Sequence, residues 1–138
     1  MTNGKTPLYL TVALGLLAGA LVFAWQPYSV TSRWARYAGP MQSYLRAALR
    51  RDSLALIRQT GSAEAVAWAL HAARAHPEAL TVWTRHAHPS WGLEIGDTAT
   101  IGLESDTNVC SEHPIVLRFV TGKVPRVIEA SSACFENP

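Results

Sequence analysis

The stretch Pro114–Ser132, PIVLRFVTGKVPRVIEASS, decides the fold class. Two runs rich in Val, Ile and Phe meet at Thr121-Gly122-Lys123, which is the composition of two strands joined by a turn. Upstream, TATIGLE over Thr98–Glu104 alternates, with Ala99, Ile101 and Leu103 on one side, and Gly96-Asp97 supplies the turn before it. With Thr121-Gly122-Lys123 as the loop, Val120 faces Val124, Arg118 faces Arg126 and Cys110 faces Cys134. This register sets two like charges opposite each other and brings the two cysteines near bonding distance. Cys110 and Cys134 therefore have two readings, a disulfide candidate that needs an oxidising compartment or two unrelated thiols.

Ahead of these strands the period changes to that of helices. Met41, Tyr44, Leu45, Ala48 and Leu49 recur at the spacing of one helical face, after a break at Gly39-Pro40. Asp52 or Ser53 caps a second, short helix carrying Leu54, Leu56 and Ile57, which Gly61 ends. Ser62 is the N-cap of a third, AEAVAWALHAARAH, stopped by Pro77. PEALTVWTRHA reads as a short helix or as a strand, with the helix preferred. Helices followed by an antiparallel meander make the fold class α+β, with the helices packed on one face of the sheet.

At the other end, Leu8–Trp25 reads LYLTVALGLLAGALVFAW without a charge, about 27 Å as a helix at 1.5 Å per residue. The expectation is a single transmembrane helix, a retained signal-anchor, opened by Pro7 and closed by Pro27. A cleaved signal with Lys5 and Ala18-Gly19-Ala20 is the rival. Thr11, Gly15 and Gly19 form a small-residue strip suited to helix packing, and Trp25, Tyr28, Trp34 and Tyr37 form an aromatic membrane-interface cluster. The expected organisation is a tail over 1–7, a span over 8–25, a juxtamembrane connector over 26–40 and an extracytoplasmic domain over 41–138. The expected place is a bacterial inner membrane, single-pass, with a periplasmic domain.

The chain has 138 residues, 49% hydrophobic and 16% charged, with 9 Gly and 2 Cys, so intrinsic disorder, collagen-like repeats and a disulfide scaffold are excluded. A net charge of +2 and the lack of a recognisable module exclude nucleic acid as a partner. The distribution of charge says more. Arg33, Arg36, Arg46, Arg50, Arg51 and Arg58 face a single acid, Asp52, whereas acids outnumber basic residues from Gln59 onward. Arginine forks pair with carboxylates and phosphates, so Arg33, Arg36, Arg46, Arg50 and Arg51 are expected to meet anionic lipid headgroups or the acidic rim of a partner. A solvated basic helix is the alternative.

Chemistry-bearing constellations are weak. His86-x-His88 and the Cys110/His113 pair would have to converge to hold zinc, and no nucleophile sits in a strained elbow. No catalytic residue, metal or cofactor is expected.

GDTATIGL over Gly96–Leu103, followed by PIVLRFVTGKVPRVIEAS over Pro114–Ser131, resembles the closing strands of the nuclear-transport-factor-like and ketosteroid-isomerase-like cone domains. That resemblance implies helices curled around a bent sheet. It implies no activity, because the Asp or Tyr used by catalytic members has no matching position here, and Pro125 stands near a position where those domains often carry tryptophan. The functional expectation is a non-catalytic accessory or assembly subunit of a larger integral membrane protein complex, respiratory or photosynthetic in type. The alternative is a tethered binding module for a small apolar ligand.

Overall fold

The computed structural model describes the backbone over 6–105 and 115–132, and the side chains over 9–21, 33–105 and 115–132. The chain divides into two units, Met1–Arg33 and Trp34–Pro138. Helix α1 (Thr6–Leu49) contributes to both. It is followed by α2 (Ser53–Thr60), α3 (Ala63–Ala75) and α4 (Pro77–His86), then β1 (Ala87–Ile95), β2 (Thr98–Ser105), β3 (Ile115–Val120) and β4 (Arg126–Ser131). The strands form one antiparallel sheet in the order β1-β2-β3-β4, so the α+β reading holds.

The transmembrane reading does not. Among the described residues no helix is long and apolar enough to cross a membrane. In the first unit the described side chains, Tyr9–Leu21 and Arg33, are all exposed. The signal-anchor, the single-pass topology and the placement in a bacterial inner membrane with a periplasmic domain fall with the span.

In the second unit the helix caps follow the local chemistry. Asp52 Oδ1 accepts from the Ala55 amide at 3.0 Å and opens α2, and Ser62 Oγ accepts from the Ala65 amide at 3.3 Å and opens α3. Gly61 closes α2 in the left-handed region at φ 61°, where its amide donates to the Ile57 carbonyl. Pro77 stands in the first turn of α4, where its missing N–H is no loss. The expected break at Gly39-Pro40 is absent. The helix runs through it, because a proline removes one hydrogen bond and the face beneath it is buried.

That face is Trp34, Tyr37, Met41, Tyr44, Leu45 and Ala48, all buried and spaced three or four apart. They share one core with Ala99, Ile101, Leu103, Ile115, Leu117, Phe119 and Val127 of the sheet and with Trp68 and Ala69 of α3. The rings of Tyr37 and Phe119 lie 5.1 Å apart between centroids, and Tyr44 stacks on Trp68 at 6.3 Å. Each such side chain contributes about 1.5–3 kcal/mol by leaving water, and each ring pair about 0.5–1.5 kcal/mol more.

Two bulges set which side chains face that core. In β1 the register shifts between Pro89 and Trp91, and Ser90 turns its hydroxyl to the Gly102 carbonyl at 3.2 Å. Trp91, Leu93 and Ile95 then point to the outer face, with the Trp91 indole lying on Gly102 where any Cβ would collide. In β4 the register shifts so that Val120 pairs with Arg126, Phe119 with Val127 and Arg118 with Glu129. This replaces the expected hairpin, in which Val120 faced Val124 and Arg118 faced Arg126. Pro125 cannot donate to a ladder, and the longer turn exchanges a repulsion for an ion pair, Arg118 to Glu129 at 3.3 Å. The register that set Cys110 opposite Cys134 is therefore not the one adopted; both cysteines lie outside the described residues.

Candidate functional site: a cleft between α1, α2 and the β3–β4 turn

A cleft among the described residues has a volume of about 690 Å³. One wall is α1, from Gly39 and Pro40 to Ser43 and Tyr44. The second is the end of α2, Arg58 and Gln59. The third is the β3–β4 turn and the start of β4, Val124 to Val127. These segments are far apart in sequence and meet because the buried face of α1 and the inner face of the sheet share one core.

The walls are chemically one-sided. Pro40 and Pro125 have no N–H to offer, Val124 and Val127 are aliphatic, and Tyr44 presents its ring. The Tyr44 hydroxyl is committed elsewhere, donating to the Ala65 carbonyl at 2.7 Å. Burial pushes its pKa well above the ordinary tyrosine value, so it is a neutral structural donor and no acid or base for chemistry.

The polar side of the cleft is the end of α2. Arg58 lies in its last turn, and the Arg126 guanidinium lies against Gly61, the residue that ends it. A cation there meets the partial negative charge of the last helical carbonyls. Neither arginine makes an ion pair among the described residues, and no lining residue is acidic. Gln59 Oε1, between them in the chain, is buried with no hydrogen-bond donor in reach. An orphan acceptor of this kind costs about 1–3 kcal/mol.

Nothing in the cleft is arranged as a nucleophile with a base. The short contact between titratable side chains lies elsewhere, where Tyr37 Oη donates to Glu94 Oε1 at 2.6 Å. Burial first, and that hydrogen bond second, raise the Tyr37 pKa. Among the described residues no three His, Cys, Asp or Glu side chains gather to hold a metal. His86 ends α4 and His88 lies in β1, its Nδ1 3.4 Å from the His86 carbonyl, while Cys110 and His113 lie outside the described residues.

The residues singled out from sequence are not brought to one place. Thr11, Gly15 and Gly19 lie on the exposed part of α1, and a methyl group added at either glycine would meet nothing within 4 Å. Trp34 and Tyr37 are core residues instead of a membrane-interface belt, whereas the side chains of Trp25 and Tyr28 lie outside the described residues. Of the arginine arm, Arg36 sits over the Tyr37 ring at 4.9 Å, and Arg51 donates to the Ala73 carbonyl at 3.4 Å from a left-handed backbone at φ 54°. Arg33, Arg46 and Arg50 are exposed.

The cleft residues were legible only as punctuation. Gly39-Pro40 reads as a break, Arg58 as one more member of a basic arm and Pro125-Arg126 as part of the strand after the turn. The usable signal was the pair of prolines, each forfeiting a donor, but nothing local says that they face each other. No protein family, curated protein or solved structure matches this chain, so the resemblance of its closing strands to cone domains rests on Gly96–Leu103 and Pro114–Ser131 alone.

Proposed function

We propose that this chain is a non-catalytic binding module for a small, largely apolar molecule held in the cleft between α1, α2 and the β3–β4 turn. The observation that carries the reading is the cleft itself, about 690 Å³ with proline, valine and tyrosine walls. Ligand sites commonly fall at roughly 300–1,000 Å³ with mainly apolar linings and a few polar groups.

The test is titration of the full chain with the neutral fluorescent probe N-phenyl-1-naphthylamine, comparing the natural protein with Ser43→Trp. Ser43 is exposed on the cleft wall, so an indole there fills the cleft without entering the core. The expected result is saturable binding that weakens at least about tenfold in the variant. Equal binding by both proteins would place the probe elsewhere and reject the cleft as the site.

A second reading, an accessory subunit of a larger protein complex, has its own support in the exposed apolar side chains of Tyr9–Leu21. Exposed apolar surface of this kind marks contact with another molecule. Its test is native-gel migration of the chain from its source cells. Co-migration with a larger assembly, lost on Gly15→Leu with Gly19→Leu, is the expected result. Migration as a lone small protein would exclude it.

A further inference from the structure

We propose that the molecule held in the cleft is an amphipathic anion, with its apolar body against Pro40, Tyr44 and Pro125 and its oxyanion head on Arg58 and Arg126. This rests on the reading of the cleft as a ligand site and names the chemistry of the ligand.

Three features of the cleft lead to it. Among the described residues its charged lining is two arginines, Arg58 in the last turn of α2 and Arg126 of β4, whose guanidinium lies against Gly61. Arg58 and Arg126 both line the cleft, and among the described residues neither forms an ion pair with a carboxylate. The remaining walls carry no formal charge: Ser43 and Gln59 are neutral, both prolines lack an N–H and the Tyr44 hydroxyl is already engaged with Ala65.

An oxyanion is the chemistry that answers all three. The planar guanidinium fork matches the paired oxygens of a carboxylate or phosphate, and charge-assisted bonds of this sort are the strong ones. Both arginines are exposed, so the head can reach them without either leaving the core. The ligand is thereby oriented, head toward α2 and body along α1 and the β3–β4 turn. A purely structural role for the arginines, as counter-charges to the α2 carbonyls, predicts indifference to the charge of the ligand.

The test is calorimetric titration of the full chain with four probes of one chain length: decanoate, decyl phosphate, decanol and decyltrimethylammonium. The anions are expected to bind at least about tenfold tighter than decanol, and the cation more weakly than either. The tighter of the two anions names the head group. Arg58→Gln and Arg126→Gln are each expected to remove roughly tenfold of the preference for anion over alcohol, and Arg126→Lys to restore part of it. Arg58 is exposed in the last turn of a short helix, so Arg58→Gln remains informative should Arg126→Gln disturb the packing over Gly61. Decanol binding as tightly as decanoate would overturn the anion while leaving an apolar cleft ligand standing. Failure of every probe to bind would reject both. An undiminished preference in the double variant would overturn the assignment to Arg58 and Arg126.

Discussion

Two stretches of the single helix α1 have opposite fates. Over Tyr9–Leu21 the side chains are exposed, Leu16 to 71%, whereas over Trp34–Ala48 one apolar face is buried, Leu45 to 0%. Hydrophobicity does not separate them, since the first stretch is the more apolar. Pattern does. The second keeps Trp34, Tyr37, Met41, Tyr44, Leu45 and Ala48 on one face, with Arg36, Ser43 and Arg46 elsewhere, and an amphipathic helix can meet one sheet. The first is apolar all round and has no polar face to turn to water. A stripe finds its partner inside the chain, whereas the all-apolar stretch has its described side chains exposed.

The sharpest way to break this comparison is to truncate the buried face of α1 and its partner in the sheet alongside the exposed stretch. Phe119→Ala, opposite Tyr37 in the core, is expected to cost about 3–5 kcal/mol and Leu45→Ala about 2–5 kcal/mol. Leu16→Ala should stay within about 0.5 kcal/mol. Denaturant unfolding of the three variants measures this, and a comparable loss for Leu16 would mean that the exposed stretch is part of the cooperative fold.

A pH experiment sharpens it further. Burial raises the Tyr44 pKa in the folded state. The unfolded tyrosine therefore loses its proton near pH 10 while the folded one keeps it, and stability falls as pH rises past that point. The fall is about 1.4 kcal/mol per pH unit for one group. Tyr44→Phe should make the profile shallower above pH 10, as followed by urea midpoints.

The smallest effect concerns glycines. Gly61→Ala forces a side chain into the left-handed region and into the Arg126 guanidinium, at a cost of about 1–2 kcal/mol. Gly15→Ala meets open space in a helix and should favour the helix by about 0.5–1 kcal/mol. Thermal melts of the two variants should move in opposite directions. Equal shifts would show that the two regions do not differ in the way their glycines are used.

How far the sequence could be read depended on the range of the forces involved. Asp52, Gly61, Ser62 and Pro77 act within a turn of where they stand, so the ends of α2 and α3 and the start of α4 could be placed from residue chemistry. β1 was invisible because AHPSWGLEI holds a proline and a glycine and little alternation. An edge strand tolerates both, and its bulge at Ser90 breaks the period. The β3–β4 register was misplaced by the same mechanism, since the bulge beside Ile128 and the unpaired Pro125 shift the ladder toward Arg118–Glu129.

The sequence by itself determined the α+β order, the helix caps and the amphipathic face of α1, because these follow from local backbone chemistry and from spacing along one element. Only the tertiary structure decided that Gly39-Pro40 continues a helix, that Trp34 and Tyr37 enter a core, and that Pro40, Arg58 and Arg126 share a cleft. Each of those depends on which surfaces remain to be buried once helices and sheet have met, and that is a property of the packed chain that no single segment carries.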